Sequence, residues 1–260
     1  MINKKRLVKT FTDLVKIDSE SRSEANVAKY IKNKLNKLGI KYKIDKSAVS
    51  TKSNHGNIIA RLGSDKKLPT ILLSSHMDTV TNGLGINPVV KKESITSDGT
   101  TILGADDKSG LAIILETLEV LKKKKLYHYN IEAAITTCEE IGLLGAKFLD
   151  YSLINSKQGI VLDSTSPERL VYKGPSSDYF NIIVQGVEAH SGINPEKGIS
   201  SIAASAEIVS KMKTGRINSN TTINIGKIYG GSAINIVPGK TIISCEIRSH
   251  NEKTIKTEIS

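Results

Sequence analysis

The chain has 260 residues, enough to bury a substantial core and, at the usual domain size, to form roughly two domains. Its 38% hydrophobic and 24% charged content is that of a soluble globular protein, and no apolar run approaches bilayer-spanning length, so a membrane partner is not expected. A formal charge of +11 favours anionic partners in general, but there is no tryptophan, 4% of residues are aromatic and no recognition motif frames the lysines, so nucleic acid is not expected as a partner either.

The opening seventeen residues, MINKKRLVKTFTDLVKI, read as an amphipathic helix: they lack the uninterrupted apolar stretch and small-residue cleavage site of a signal peptide, so a cytoplasmic location is expected. Val27, Ile31, Leu35 and Leu38 make a second helical stripe, closed by Gly39. Strand patterns follow at 41–44, 57–62 and 70–75. After a Gly/Asn-rich stretch, residues 102–107 lead into a helix with Leu111, Ile114, Leu115, Leu118 and Leu121 on one face. Lys122–Lys125 close it, as a solvated helix end whose cations complement the dipole. Strands are predicted at 131–137 and 159–162, the second ending directly on Asp163. This alternation argues for an α/β layer structure with a largely parallel or mixed sheet.

Near Lys173-Gly174-Pro175 the pattern changes. Residues 179–185, 199–212, 221–229 and 241–248 read as strand, helix, strand, strand, the first part of a β-α-β-β-α-β unit, with Asn251-Glu252-Lys253 entering its second helix. The expected domains are therefore 1–173 and 174–260. Cys138 and Cys245 lack any paired spacing and read as core thiols.

His76 and Asp78 follow one predicted strand, Glu139 and Glu140 follow another, and Asp163 ends a third, at the strand ends where open α/β sheets bind ligands. Asp106 stands at the mouth of a helix, where backbone amides favour a carboxylate. Carboxylates gathered in one crevice repel one another unless a cation neutralises them. A mixture of imidazole and carboxylate suits zinc, with cobalt or manganese allowed by ligand type. Taken singly, a His-x-Asp or a pair of adjacent glutamates is more often a solvated surface feature; their order and placement make the case.

SSHMDTV, GADDKSG, TTCEEIGLLGAK, VLDSTSP, GVEAHSG and GGSAINIVP, in that order, resemble the peptidase T-like metallopeptidases, a branch related to glutamate carboxypeptidases and succinyl-diaminopimelate desuccinylase. The resemblance implies a zinc-exopeptidase catalytic domain of α/β class, with a mixed sheet between helices, plus a ferredoxin-like α+β lid (dimerisation) domain. It also implies two zinc ions per site: His76 and Asp163 on one, Glu140 on the other, and Asp106 between them. Asp78 would orient its neighbouring ligand histidine, and Glu139 would be the general base activating a metal-held water to hydrolyse peptide bonds in short peptides. By the same resemblance His190 would stabilise the oxyanion, commonly from the partner subunit of a homodimer formed through the lid, and Asn235 and Arg248 would bind substrate. Without it, His190 reads as a turn residue, Arg248 as a surface strand residue, and Gly230-Gly231 as a turn.

One departure stands out. The family's last metal ligand is a histidine near the carboxyl terminus, and His55, His128 and His250 all lack its context, so the lid and the catalytic domain are both expected to be incomplete. The alternatives are a carboxypeptidase, an acyl-amino-acid amidohydrolase, or an inactive truncated fragment serving as a dimerising or binding module.

Overall fold

The protein is described by a computed structural model covering residues 2–63, 65, 67–164, 166 and 168–259. It divides into two compact units, residues 1–169 and 170–260. The sequence pattern puts the change at Lys173/Gly174. Leu170, Val171 and Tyr172, between the two positions, are exposed and outside regular structure, so they give no local signal for one boundary over the other.

The first unit runs through α1 (Lys4–Val15), α2 (Ala25–Lys37), β1 (Lys41–Ile44), α3 (Ser47–Thr51), β2 (Ile58–Leu62), β3 (Thr70–His76), β4 (Pro88–Val90), β5 (Ile95–Ser97), α4 (Ala105–Lys124), β6 (Asn130–Thr136), α5 (Leu144–Lys147) and β7 (Gln158–Val161). Its main sheet has the order β1-β2-β6-β3-β7. β3 runs parallel to both neighbours, whereas β2 is antiparallel to β1 and β6. The parallel arrangement brings the carboxyl ends of β3, β6 and β7 to one edge.

Apolar stripes of α1, α2 and α4 bury Phe11, Leu14, Ile31, Leu35, Leu111, Leu115 and Leu118 against Ile58, Ala60, Ala133 and Ile135 of the sheet. At about 25 cal/mol per Å² of apolar area, this is the dominant force holding the layers together. Arg6 reaches from α1 to Glu116 (2.7 Å) and Glu119 (3.1 Å) of α4, fixing the two helices in register. Gly39, at φ +62°, ends the α2 segment in the left-handed conformation expected of a helix-closing glycine.

The second unit contains β8 (Ser176–Gln185), β9 (Ala189–His190), α6 (Ser201–Lys211), β10 (Gly215–Asn218), β11 (Thr221–Gly230), β12 (Ile236–Val237), β13 (Lys240–Ser249) and α7 (Glu252–Ile259). Its sheet order is β10-β11-β13-β8, all antiparallel, with α6 and α7 packed on β8 and β13. Alternate β13 residues, including Ile243, Cys245 and Ile247, are buried, the period-2 signature of a sheet covered on one face. β9 and β12 form a separate two-stranded ribbon pairing His190 with Ile236.

Three details differ from the sequence pattern. α3, β4, β5, α5, β9, β10 and β12 are additional elements. β7 ends at Val161, so Leu162 and Asp163 lie beyond the strand. Asp106 and Asp107 fall within the span of α4 but have non-helical torsions (ψ 109° and 40°), and their peptide bond is cis.

Candidate metal centre

β3 delivers His76 at its last position, β6 leads through Thr137 and Cys138 to Glu139 and Glu140, β7 leads to Asp163, and the start of α4 supplies Asp106. His76 is buried. Its Nε2 lies 3.0 Å from Asp106 Oδ1 and 3.9 Å from both Glu139 Oε2 and Asp163 Oδ2. Two sets of donor atoms, His76/Asp106/Asp163 and His76/Glu139/Glu140, each fall within 4.8 Å, a spacing that fits a metal ion. Imidazole nitrogen with carboxylate oxygens is the chemistry of a divalent transition-metal site.

The other ring nitrogen, Nδ1, is turned toward Asp78, 3.3 Å from Oδ1 but too poorly aligned for a hydrogen bond. Asp78 is wholly buried and accepts from Ser21 Oγ (2.7 Å), Glu139 N (3.0 Å) and Glu140 N (3.2 Å). One carboxylate thus sits behind the histidine and holds the turn that carries both glutamates. A carboxylate so close behind the ring raises ligand basicity.

The electrostatics match a site short of positive charge. Burial raises the pKa of Glu139, with His76 opposing and Asp163 and Asp78 adding to the rise. Burial likewise raises Glu140, reinforced by Asp106, and raises Asp163 despite the pull of His76. Burial alone would lower His76, but Asp78, then Asp106 and Asp163, bring it up to about 9. Burial opposes ionisation of Asp78 too, yet His76, Ser21 and the Glu139 amide hold its carboxyl below the usual range. A divalent cation would relieve the mutual repulsion of the carboxylates.

Several supporting residues lie outside the set predicted from sequence. Lys108 is wholly buried, donates to Ser19 Oγ and Met77 O (both 2.7 Å), and is lowered to about 8 by burial. Asp107 is buried with Oδ1 accepting from Gly110 N (2.9 Å) and is pushed up to about 6, chiefly by burial. The signal available was the run Asp106-Asp107-Lys108 itself, three charges opening a helix whose buried face begins there. Glu24 and Asn57 complete the surroundings.

In the second unit, His190 is exposed, and its Nδ1 accepts from Gly192 N (3.2 Å), which leaves Nε2 to carry the proton of the neutral ring. Asn235 is exposed, and its carbonyl accepts from Ser191 N (3.0 Å), placing it beside His190. Arg248 stands elsewhere: it is near the far end of β13 from Pro238-Gly239, roughly 30 Å along the strand, with Nε and Nη2 on Glu246 Oε1 (2.9 and 2.7 Å). Gly231 takes φ +83° in the Gly230-Gly231 turn. Cys138 and Cys245 are free and buried, and His55 is occupied by Gly56 O and Lys32. Among the described residues no helix is long and apolar enough to cross a membrane.

Comparison with known proteins shows the family. The Peptidase family M28 profile matches residues 57–189, and a peptidase dimerisation domain profile matches residues 176–260. The Bacillus subtilis (strain 168) protein YqjE is 44% identical over 96% of this chain and 67% of its own length. Peptidase T of Aliivibrio salmonicida is 30% identical over 81% of this chain and 60% of its own length. In structure, a tripeptidase from Staphylococcus aureus superposes with a TM-score of 0.92 at 39% identity, covering 100% of this chain and 70% of that one. Aminopeptidase PepT from Bacillus cereus gives 0.89 at 42%, covering 99% and 70%. This sequence therefore spans about 60 to 70% of the length of these relatives. With its ordered motifs, its α/β unit followed by a dimerisation-type unit, and metal-fitting donors at the sheet edge, the chain belongs to the peptidase T-like metallopeptidases.

Proposed function

We propose that the protein hydrolyses peptide bonds in short peptides, as a tripeptide aminopeptidase, in the cytoplasm. The observation that carries this reading is the convergence of Asp106, Glu139, Glu140 and Asp163 on a buried histidine whose Nδ1 faces Asp78. His76 and Asp163 would hold one zinc ion and Glu140 the other, with Asp106 available to both. A bound pair supplies Lewis-acid polarisation of the scissile carbonyl and lowers the pKa of water to about 7.

The chain's own residues do the rest. Glu139 takes the proton from the attacking water and passes it to the leaving amine, a role suited to a carboxylate whose pKa is raised by burial. Asp78 keeps the His76 ring oriented and the Glu139–Glu140 turn in place. His190 donates from Nε2 to the carbonyl oxygen as negative charge develops there. Asn235 and Arg248 bind substrate, Arg248 exchanging Glu246 for the peptide carboxylate. The span of β13 between Arg248 and the His190–Asn235 ribbon supports a homodimer joined through residues 174–260, in which one protomer supplies His190 to its partner's substrate.

The test is cleavage of free against amino-blocked tripeptides with added zinc or cobalt. Glu139→Gln is expected to lower kcat by about 10² to 10⁴ with metal binding retained. Two metals bound and no cleavage of any tripeptide would overturn the reading. Faster cleavage of blocked peptides would favour the amidohydrolase alternative.

A further inference from the structure

β6 ends at Thr136, and the next four backbone amides donate to side chains instead of to other backbone groups. Thr137 N donates to Asn57 Oδ1 (3.0 Å), Cys138 N to Glu24 Oε1 (3.0 Å), Glu139 N to Asp78 Oδ1 (3.0 Å) and Glu140 N to Asp78 Oδ2 (3.2 Å). The three acceptors come from separate parts of the chain: Glu24 precedes α2, Asn57 precedes β2 and Asp78 follows β3. All three are wholly buried.

Each acceptor is itself fixed. Glu24 Oε2 takes a hydrogen bond from Ser53 Oγ (2.6 Å), and Oε1 takes a second one from Cys138 Sγ (3.3 Å). Asn57 Nδ2 donates to Asp45 Oδ2 and to Gly145 O (both 2.8 Å). From the other side the turn is closed by Gly145, where a Cβ would stand 2.1 Å from Thr137 O. Between them Cys138 takes φ +53°, a conformation a non-glycine residue keeps only when its surroundings impose it.

A carboxylate withdrawn from water is costly unless its oxygens are filled, and for stability alone an apolar side chain of similar size often serves as well. Glu24 is filled by three donors, two of which belong to Cys138. The arrangement therefore fixes peptide planes, and with them the directions in which adjacent side chains leave the backbone. Glu139 and Glu140 follow at once, and their proposed tasks differ: one moves a proton and the other holds a metal.

We propose that Glu24 and Asn57 are positioning residues that, together with Asp78, set the backbone of residues 137–140 and so aim Glu139 and Glu140. The inference rests on the proposed roles of those two glutamates.

Hydrogen exchange resolved to single amides tests the clamp without requiring activity. In Glu24→Ala the amides of Cys138, Glu139 and Glu140 are expected to exchange at least about tenfold faster, while those of β6 keep their rates. Glu24→Gln, which preserves an acceptor for Cys138 N and a partner for Ser53, should restore protection. In the metal-loaded enzyme Glu24→Ala should lower kcat about tenfold or more with KM little changed. Unchanged exchange in the turn, or faster exchange spread equally through β6, would overturn the proposal. If Glu24→Ala does not fold, Ser53→Ala replaces it, with a smaller acceleration expected at Cys138 and its absence counting against the clamp. Loosening of the turn in a protein that cleaves no peptide would instead count against the proposed function and leave the clamp standing.

Discussion

The two units differ in what stands behind their chemistry-bearing residues: in the first, exposed Asp106 and Asp163 and half-buried Glu139 and Glu140 are backed by a buried layer, and in the second no such layer backs His190, Asn235 or Arg248 among the described residues. In residues 1–169, His76 is 1% exposed and Glu24, Asp78 and Lys108 are wholly buried, each beside named partners. In residues 170–260, His190, Asn235 and Arg248 are all exposed, and the Arg248 guanidinium is hydrogen-bonded to Glu246 on its own strand. The difference suits the roles proposed for each set. Carboxylates that repel one another stay in metal-holding geometry only if a buried layer of hydrogen bonds fixes them. Groups that meet a substrate must remain reachable, and they become fixed when the substrate or another protomer arrives.

The strongest way to break this contrast is Asp78→Ala. It removes the acceptor for Ser21 Oγ and for two backbone amides and leaves His76 Nδ1 facing a cavity. Loss of about 3 to 5 kcal/mol is expected in the first unit, with metal affinity down roughly 10- to 100-fold. The two buried cysteines separate the units, because Cys138 reports the first and Cys245 the second when thiol labelling is followed through denaturation. Equal destabilisation at both cysteines would mean that the contrast is not confined to the site.

Metal and pH sharpen the same comparison at a smaller scale. In the metal-free protein Asp107 is raised to about 6 and His76 to about 9, while Glu139, Glu140 and Asp163 are also raised. Groups with raised folded-state values contribute stability that is complete below their unfolded values and is lost as pH climbs through the folded ones. The first unit should therefore lose stability from pH 4 to 6 through Asp107 and again from pH 6.5 to 9 through His76. In the second unit Glu246 is lowered, first by its hydrogen bond from Arg248, so its contribution has the opposite sign and disappears on acidification. Zinc at 100 times its dissociation constant should add about 2.7 kcal/mol and flatten the first unit's decline. A metal-free protein whose Cys138 labelling midpoint does not move between pH 5 and 9 would contradict this.

What the sequence disclosed follows the same division. The strand at 41–44 and the helical stripe through Val27, Ile31 and Leu35 were legible because a buried face imposes a period on the residues. The metal-fitting cluster was legible because its residues follow strands whose ends converge in a parallel sheet. α3 was not, since its buried residues, Ser47 and Thr51, are polar and its five residues are too few to show a stripe. Neither was the buried layer: Lys108 binds Ser19 across 89 positions and Glu24 binds Cys138 across 114, and charged residue types are ordinarily exposed. The separation of Arg248 from His190 was also hidden, because both belong to motifs in plausible order and only the run of β13 shows the distance between them.

The smallest expected effect on stability is also informative about Arg248. Its pair with Glu246 is exposed, so Arg248→Ala should change the stability seen at Cys245 by no more than about 0.5 kcal/mol. Its effect on catalysis should depend on the substrate. If the guanidinium clasps a peptide carboxylate through paired hydrogen bonds, KM for a free tripeptide should rise about tenfold or more, and KM for the corresponding tripeptide amide should stay near its original value. Arg248→Lys should fall between, because an ammonium keeps the charge and loses the fork. Comparable changes for acid and amide would remove Arg248 from substrate recognition, and a stability loss above about 1 kcal/mol would make it a structural member of β13, with the same fixed character as the buried residues of the first unit.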